Sequence, residues 1–128
     1  MGERYLIDTN VVIEYLSASL PKNGTSFLNK IIDSTPHISI ITKIELLGFN
    51  TSKEEYKLLE LFCNNAVVFD LTSEVVTTTI KLRQQNKIKI PDAIIAATAI
   101  ENRFILLTRN LTDFKNVKGL HLFDPHSI

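Results

Sequence analysis

Apolar positions along this chain fall into two alternating patterns, short continuous runs and helical stripes. Tyr5-Leu6-Ile7 is a run that closes on Asp8, which predicts a short buried strand over roughly residues 4–8. Asn10 is placed to cap a helix over about residues 11–17, ended by a turn at Pro21-Lys22-Asn23-Gly24. Phe27, Leu28, Ile31 and Ile32 then recur at helical spacing, the mark of an amphipathic helix. Residues 37–41 predict a second strand, and Thr42 opens a helix to about Phe49. Ser52 and Glu55 have capping-box spacing for the next helix, whose apolar face is Leu58, Leu59 and Phe62. A third strand is expected at 66–69, followed by a helix over roughly 74–86 capped by Thr72 or Ser73. Pro91 suits the first turn of a helix reaching about Asn102. That helix is apolar almost all round from Ala93 to Ile100, so it must be buried, and its alanines admit close packing. Strands at 104–108 and 120–123 complete the chain. Strands alternating with helices predict a three-layer α/β/α domain with a short, mostly parallel central sheet, formed by residues 1–128 as a single unit.

Composition narrows the class. At 128 residues and 45% apolar, the chain is one ordinary domain with material for a real core. Basic and acidic residues balance at 14 each, so net charge favours no partner. Residues 1–64 hold 6 basic and 8 acidic side chains, net −2, and residues 65–128 hold 8 and 6, net +2, a mild asymmetry. The lone cysteine, Cys63, sits in an apolar helical stretch and reads as a core residue, and the absence of a possible intrachain disulfide fits a reducing cytoplasm. No secretory leader is apparent, and no apolar run is long enough to span a membrane. Met1-Gly2 lacks the Ser or Thr at position 6 that a myristoylation start wants; Leu6 stands there.

The candidate chemistry lies in four acids, Asp8, Glu45, Asp92 and Asp113, each just past an apolar run where a predicted strand hands over to a helix. Carboxyl ends of strands in an open α/β sheet form the crevice where ligands bind. Two unit charges 4 Å apart repel by about 4 kcal/mol at an effective dielectric near 20, so acids gathered there call for a cation, and hard oxygen ligands select Mg²⁺ or Mn²⁺. Each acid also has a plainer explanation. Asp8 fits a helix cap, although Thr9 and Asn10 can take that task. Thr42 and Glu45 have capping-box spacing, Asp92 favours a helix dipole, and Asn110 and Asp113 are spaced for capping. Recurrence at four crossings favours a shared site.

Leu6-Ile7-Asp8-Thr9-Asn10, the segment from Ser39 to Leu46, Pro91-Asp92-Ala93 with the apolar helix behind it, and Leu107-Thr108-Arg109-Asn110 followed by Asp113-Phe114 together resemble the PIN-domain ribonucleases, and within them the VapC toxins of toxin–antitoxin pairs. The resemblance covers nearly all of residues 4–124. It implies that Asp8, Glu45, Asp92 and Asp113 are metal-coordinating catalytic acids, with Thr9, Asn10, Thr108 and Asn110 as polar supports. It also implies an Mg²⁺- or Mn²⁺-dependent endoribonuclease leaving a 5′-phosphate and a 3′-hydroxyl, a VapB-like antitoxin partner and a homodimer.

Basic residues near the acids are candidates for RNA phosphates: Lys43, Arg83, Lys87, Lys89 and Arg109, with Lys81 opening the acid-free run. A solvated helix face explains the 81–89 run equally well. His37, His121 and His126 share no spacing that would unite them as an acid–base pair and read as structural. Two rival classes remain. A phosphatase using Asp8 as nucleophile would want an acid where Asn10 stands. A non-catalytic binding module would be expected to have lost some of the acids.

Overall fold

A computed structural model describes residues 3–128; the Met1-Gly2 reading lies outside the described residues. In chain order the elements are β1 (Tyr5–Ile7), α1 (Thr9–Leu16), α2 (Lys22–Ser34), β2 (His37–Ser39), α3 (Ile40–Leu47), α4 (Lys53–Asn65) and β3 (Val67–Phe69). They continue with α5 (Ser73–Gln85), α6 (Ile90–Asn102), β4 (Ile105–Leu107), α7 (Leu111–Phe114) and β5 (His121–Phe123), and a 3₁₀ turn at Pro125–Ser127 ends the chain.

Every paired strand is parallel. β1 pairs β4 and β4 pairs β5 in one ladder, while β2 pairs β3 in another. β1 and β2 pack side by side, which sets the strands in the order β3-β2-β1-β4-β5. The sheet carries a core on each face because successive strand residues point to opposite sides. Leu6 and Leu106 join Val75, Leu82 and the α6 alanines on one face. Ile7 and Leu107 join Val11, Leu28, Leu46 and Phe62 on the other. The three-layer α/β/α architecture follows directly.

Helix α6 is buried from Ala93 through Ala99, as its all-round apolar pattern requires. Cys63 is a buried core residue, and burial pushes its thiol pKa up, opposed in part by the nearby Lys43. His37 packs against the rings of Phe69 and Phe104, a structural place.

Several boundaries differ from the sequence reading. The cap of α1 is Asp8 and not Asn10, which lies inside the helix and is exposed. Strand β2 stops at Ser39, whose hydroxyl oxygen accepts from the Ile41 N–H and starts α3 two residues before Thr42. Pro21 stands at the head of α2, so Lys22-Asn23-Gly24 is its first turn and not a reverse turn. Ser52 caps α4 by accepting from the Glu55 N–H, but the Glu55 carboxylate turns to the Thr51 hydroxyl, so the reciprocal half of the capping box is replaced. Thr72 is the cap of α5.

Gly24 is where the C-terminal turn meets α2. A Cβ there would stand 2.4 Å from the Pro125 carbonyl oxygen. Gly24→Ala is therefore expected to destabilise the protein by about 1–3 kcal/mol through overpacking, less the roughly 1 kcal/mol that Ala gains over Gly inside a helix. Urea denaturation would check it, with a midpoint at or above wild type counting against the contact.

Candidate active site

The parallel register lines up one residue beyond each strand. Ile7 pairs Leu107 and Leu107 pairs Phe123, so Asp8, Thr108 and Asp124 follow at neighbouring strand ends. The ladder bonds run on to fix them: Asp8 N–H donates to the Leu107 carbonyl at 2.9 Å, and Thr108 N–H donates to the Phe123 carbonyl at 3.1 Å. The Asp8 carboxylate is held at both oxygens. Oδ1 accepts from the Thr9 N–H at 2.9 Å, and Oδ2 accepts from the Thr108 hydroxyl at 2.8 Å. Asp8 thus caps the helix and stays in the crevice together.

Glu45 is not a capping-box partner of Thr42, since both lie within α3. Its Oε1 accepts from the Thr9 hydroxyl at 2.6 Å, and the Thr9 and Thr42 hydroxyls are 3.1 Å apart. Thr9 has one hydroxyl proton, which goes to the carboxylate, so Thr42 is the donor in the second contact. Buried Thr42 was not singled out by the sequence except as a cap, and it steadies the Thr9–Glu45 link. Asp92 sits half-buried in the first turn of α6. Asp113 lies exposed on α7, where Asn110 caps the helix and also donates to Asp113 Oδ2 at 2.8 Å. The capping explanation of Asp113 is therefore correct as far as it goes. Asn110 N–H donates to Thr108 Oγ1 at 3.0 Å, which ties this loop back to Asp8.

Electrostatics join the acids. The pKa of Asp8 is raised, first by burial, against the two hydrogen bonds that lower it, and then by the negative charges of Asp92 and Glu45. The pKa of Asp92 is raised by burial, then by Asp113 and Glu45, with Lys89 opposing. Among the described residues no three of His, Cys, Asp or Glu are gathered tightly enough to cage an ion unaided. The donor set is all oxygen, with buried Asp8 charged at neutral pH only at a cost. Such a spread set fits a hydrated Mg²⁺ or Mn²⁺, which keeps several waters and takes one or two carboxylates, better than a fully caged ion.

The basic candidates divide. Arg83, Lys87 and Lys89 line an open cleft of about 510 Å³ together with Asp113. Lys43 is two residues from Glu45, on the opposite side of α3, near Cys63. It is not part of the acidic crevice. Arg109 Nη1 donates to Glu14 Oε2 at 3.1 Å. Asn10 borders a cleft with Glu14, Arg109 and Asn110.

A PIN-domain family model matches residues 5–120. The chain belongs to the PIN-domain family. PIN domains are generally nucleases and generally use divalent metals. No curated protein matches this PIN domain by sequence. Among solved structures, a toxin–antitoxin complex from Klebsiella pneumoniae is similar at 28% identity and TM-score 0.75, covering 97% of this chain and 99% of that one. DNA-bound VapBC from Salmonella typhimurium is similar at 22% identity and TM-score 0.80, covering 97% and 99%. VapBC-1 from nontypeable Haemophilus influenzae is similar at 24% identity and TM-score 0.78, covering 94% and 97%. The VapC-like PIN fold inferred from the sequence is the fold found. No helix among the described residues is long and apolar enough to cross a membrane.

Proposed function

We propose that this PIN domain is an Mg²⁺- or Mn²⁺-dependent endoribonuclease and the toxin of a toxin–antitoxin pair. One observation carries the reading: Asp8, a buried carboxylate at a strand end, feels the like charges of Asp92 and Glu45, with Asp113 beside Asp92. A fold keeps such a set where a cation relieves it.

Asp8 and Asp92 would hold the ion, with Asp113 as a further ligand or support. Bound there, it would supply Lewis acidity to the phosphoryl oxygens and lower the pKa of a water. Glu45, whose carboxylate accepts from the Thr9 hydroxyl, would take the proton of the attacking water or act as a ligand. Arg83, Lys87 and Lys89 would neutralise backbone phosphates on the side of Asp113. Lys43, turned away, is dropped from the RNA-binding set.

The toxin–antitoxin neighbours support a VapB-like antitoxin as partner. The helices of the N-terminal half offer it an apolar surface: Phe49, Leu58 and Leu61 are exposed there, beside two clefts that share Leu16 and Leu58. A homodimer and a cytoplasmic location belong to the same proposal.

The test is cleavage of total RNA with Mn²⁺, with and without chelator, and mapping of the end groups. Chelator-sensitive cuts bearing 5′-phosphates are expected. RNA left intact, or cut equally with chelator, would remove the metal nuclease reading. A second prediction concerns binding alone. Mn²⁺ is expected to raise the melting temperature of wild type by several degrees more than that of Asp92→Asn, since an ion at 100 times its Kd stabilises by about 2.7 kcal/mol. Equal shifts in both proteins would place the ion elsewhere.

A further inference from the structure

Glu14, on the last turns of α1, draws together segments far apart in the chain. Its Oε2 receives Arg109 Nη1 at 3.1 Å and contacts His126 Nε2 at 3.1 Å, across 95 and 112 residues. Its Oε1 is buried with no hydrogen-bond partner. A buried oxygen left unpaired costs stability, and the Arg109 side chain is 61% exposed, where an ion pair returns little. Stability alone therefore does not account for this arrangement.

Its position does. Arg109 lies between Thr108, which donates to Asp8, and Asn110, which caps α7 and bonds Asp113. The loop has no regular structure of its own between β4 and α7. On the other side, His126 belongs to the C-terminal turn that is seated on Gly24 of α2 and capped by Asp124, whose Oδ1 accepts from the His126 N–H at 2.9 Å. Glu14 thus connects a firmly packed turn to the loop.

We propose that Glu14 is a positioning residue: by holding Arg109 and His126 on one carboxylate oxygen, it fixes the loop that carries Thr108, Asn110 and Asp113. The proposal rests on the nuclease reading for its catalytic consequence and not for its structural one. Arg109 in this role is a strut and does not bind phosphate.

The test compares wild type with Glu14→Gln, Arg109→Ala and the double variant. Each single change is expected to lower kcat on RNA with Mn²⁺ by about 10-fold, since small misplacements near the chemistry cost up to about 100-fold. KM should stay within about twofold, and the double variant should be no worse than either single, as members of one network are non-additive. Arg109→Lys should recover part of the loss. In the metal-free protein, the Asn110 and Asp113 amides should exchange with solvent faster by about 10-fold in both single variants, while amides of α6 stay as they are. Unchanged Asn110 and Asp113 exchange would overturn the proposal, as would a rise in KM alone for Arg109→Ala, the mark of a lost phosphate contact. Because Arg109 is exposed, its variant folds and decides the matter even if Glu14→Gln is unstable. If wild type cuts no RNA, the nuclease reading fails, and the amide comparison still judges the strut.

Discussion

Asp8→Asn is expected to abolish RNA cleavage, by about 10³-fold or more, while leaving the metal-free protein at least as stable as wild type at pH 7. The activity loss follows from the proposed role of Asp8 as the innermost anionic ligand of the ion. An ion at the phosphoryl oxygens is worth several kcal/mol of barrier, and each 1.36 kcal/mol is tenfold in rate. The stability effect has the opposite sign because the asparagine keeps the shape and sheds the charge. Its Oδ1 can still accept from the Thr9 N–H, and its amide can donate to Thr108 Oγ1 in place of accepting from it. What disappears is the charge that burial, Asp92 and Glu45 all disfavour.

The pH dependence carries a definite sign. Folding raises the pKa of Asp8 above its ordinary 3.8, so the folded state binds this proton more tightly than the unfolded chain does. Stability contributed by the group therefore falls as pH rises from that value through the folded-state pKa, and the penalty is complete above it. Metal-free Asp8→Asn should gain over wild type most at neutral pH, with the gain closing below pH 3.8, where wild-type Asp8 is protonated in both states. Thermal melts from pH 3 to 8 with chelator present would measure it. A variant melting far below wild type at pH 7, or one that still cuts RNA, would break the case for a charged cluster.

The fold was legible where pattern and packing agree. The apolar sweep of α6 admits no exposed face, and the Leu6-Ile7 and Leu106-Leu107 pairs divide cleanly between the two cores. Boundaries were lost where local propensity and tertiary placement compete. Ile40 and Ile41 are β-branched and prolong a strand on paper, yet Ser39 caps a helix that begins with them. Pro21 to Gly24 has turn composition, but the glycine is there for the Pro125 carbonyl. In the site, Asp8 does stand one step past β1, but Glu45 and Asp113 lie inside α3 and α7, beyond β2 and β4, and Asp92 opens a helix that follows α5 with no strand before it, so the expected four strand-to-helix crossings are not what unites the acids. Sequence spacing alone also could not tell that Asp8 is both cap and crevice residue. Thr42 as a relay and Glu14 as a hub left no mark, because a contact across 95 residues has no local signature. Lys43 is left out of the proposed RNA-binding set for a simpler reason: two residues along a helix is 200° of rotation, which turns its side chain away from Glu45 and toward Cys63.

Phe114→Ala is expected to cost about 3–5 kcal/mol, a large share of the roughly 5–15 kcal/mol that holds a domain of this kind together. Phe114 is 1% exposed and packs in the core with Leu106 and the α6 alanines. α7 has 4 residues, far too few to persist by its own hydrogen bonds. Among its residues only Phe114 is buried, so this one ring anchors the helix that presents Asp113. The variant should therefore lose cleavage through placement as well as stability, and the two parts can be separated. Asp113→Asn removes charge while leaving the anchor, so it should lower activity with the melting temperature nearly unchanged. Phe114→Leu keeps much of the buried volume, so it should restore most of the stability lost in the alanine variant. Cleavage rates below the midpoint of each variant's own melt, where all three are folded, then isolate placement. If Phe114→Ala cut RNA like wild type under those conditions, Asp113 would have no need of a fixed position.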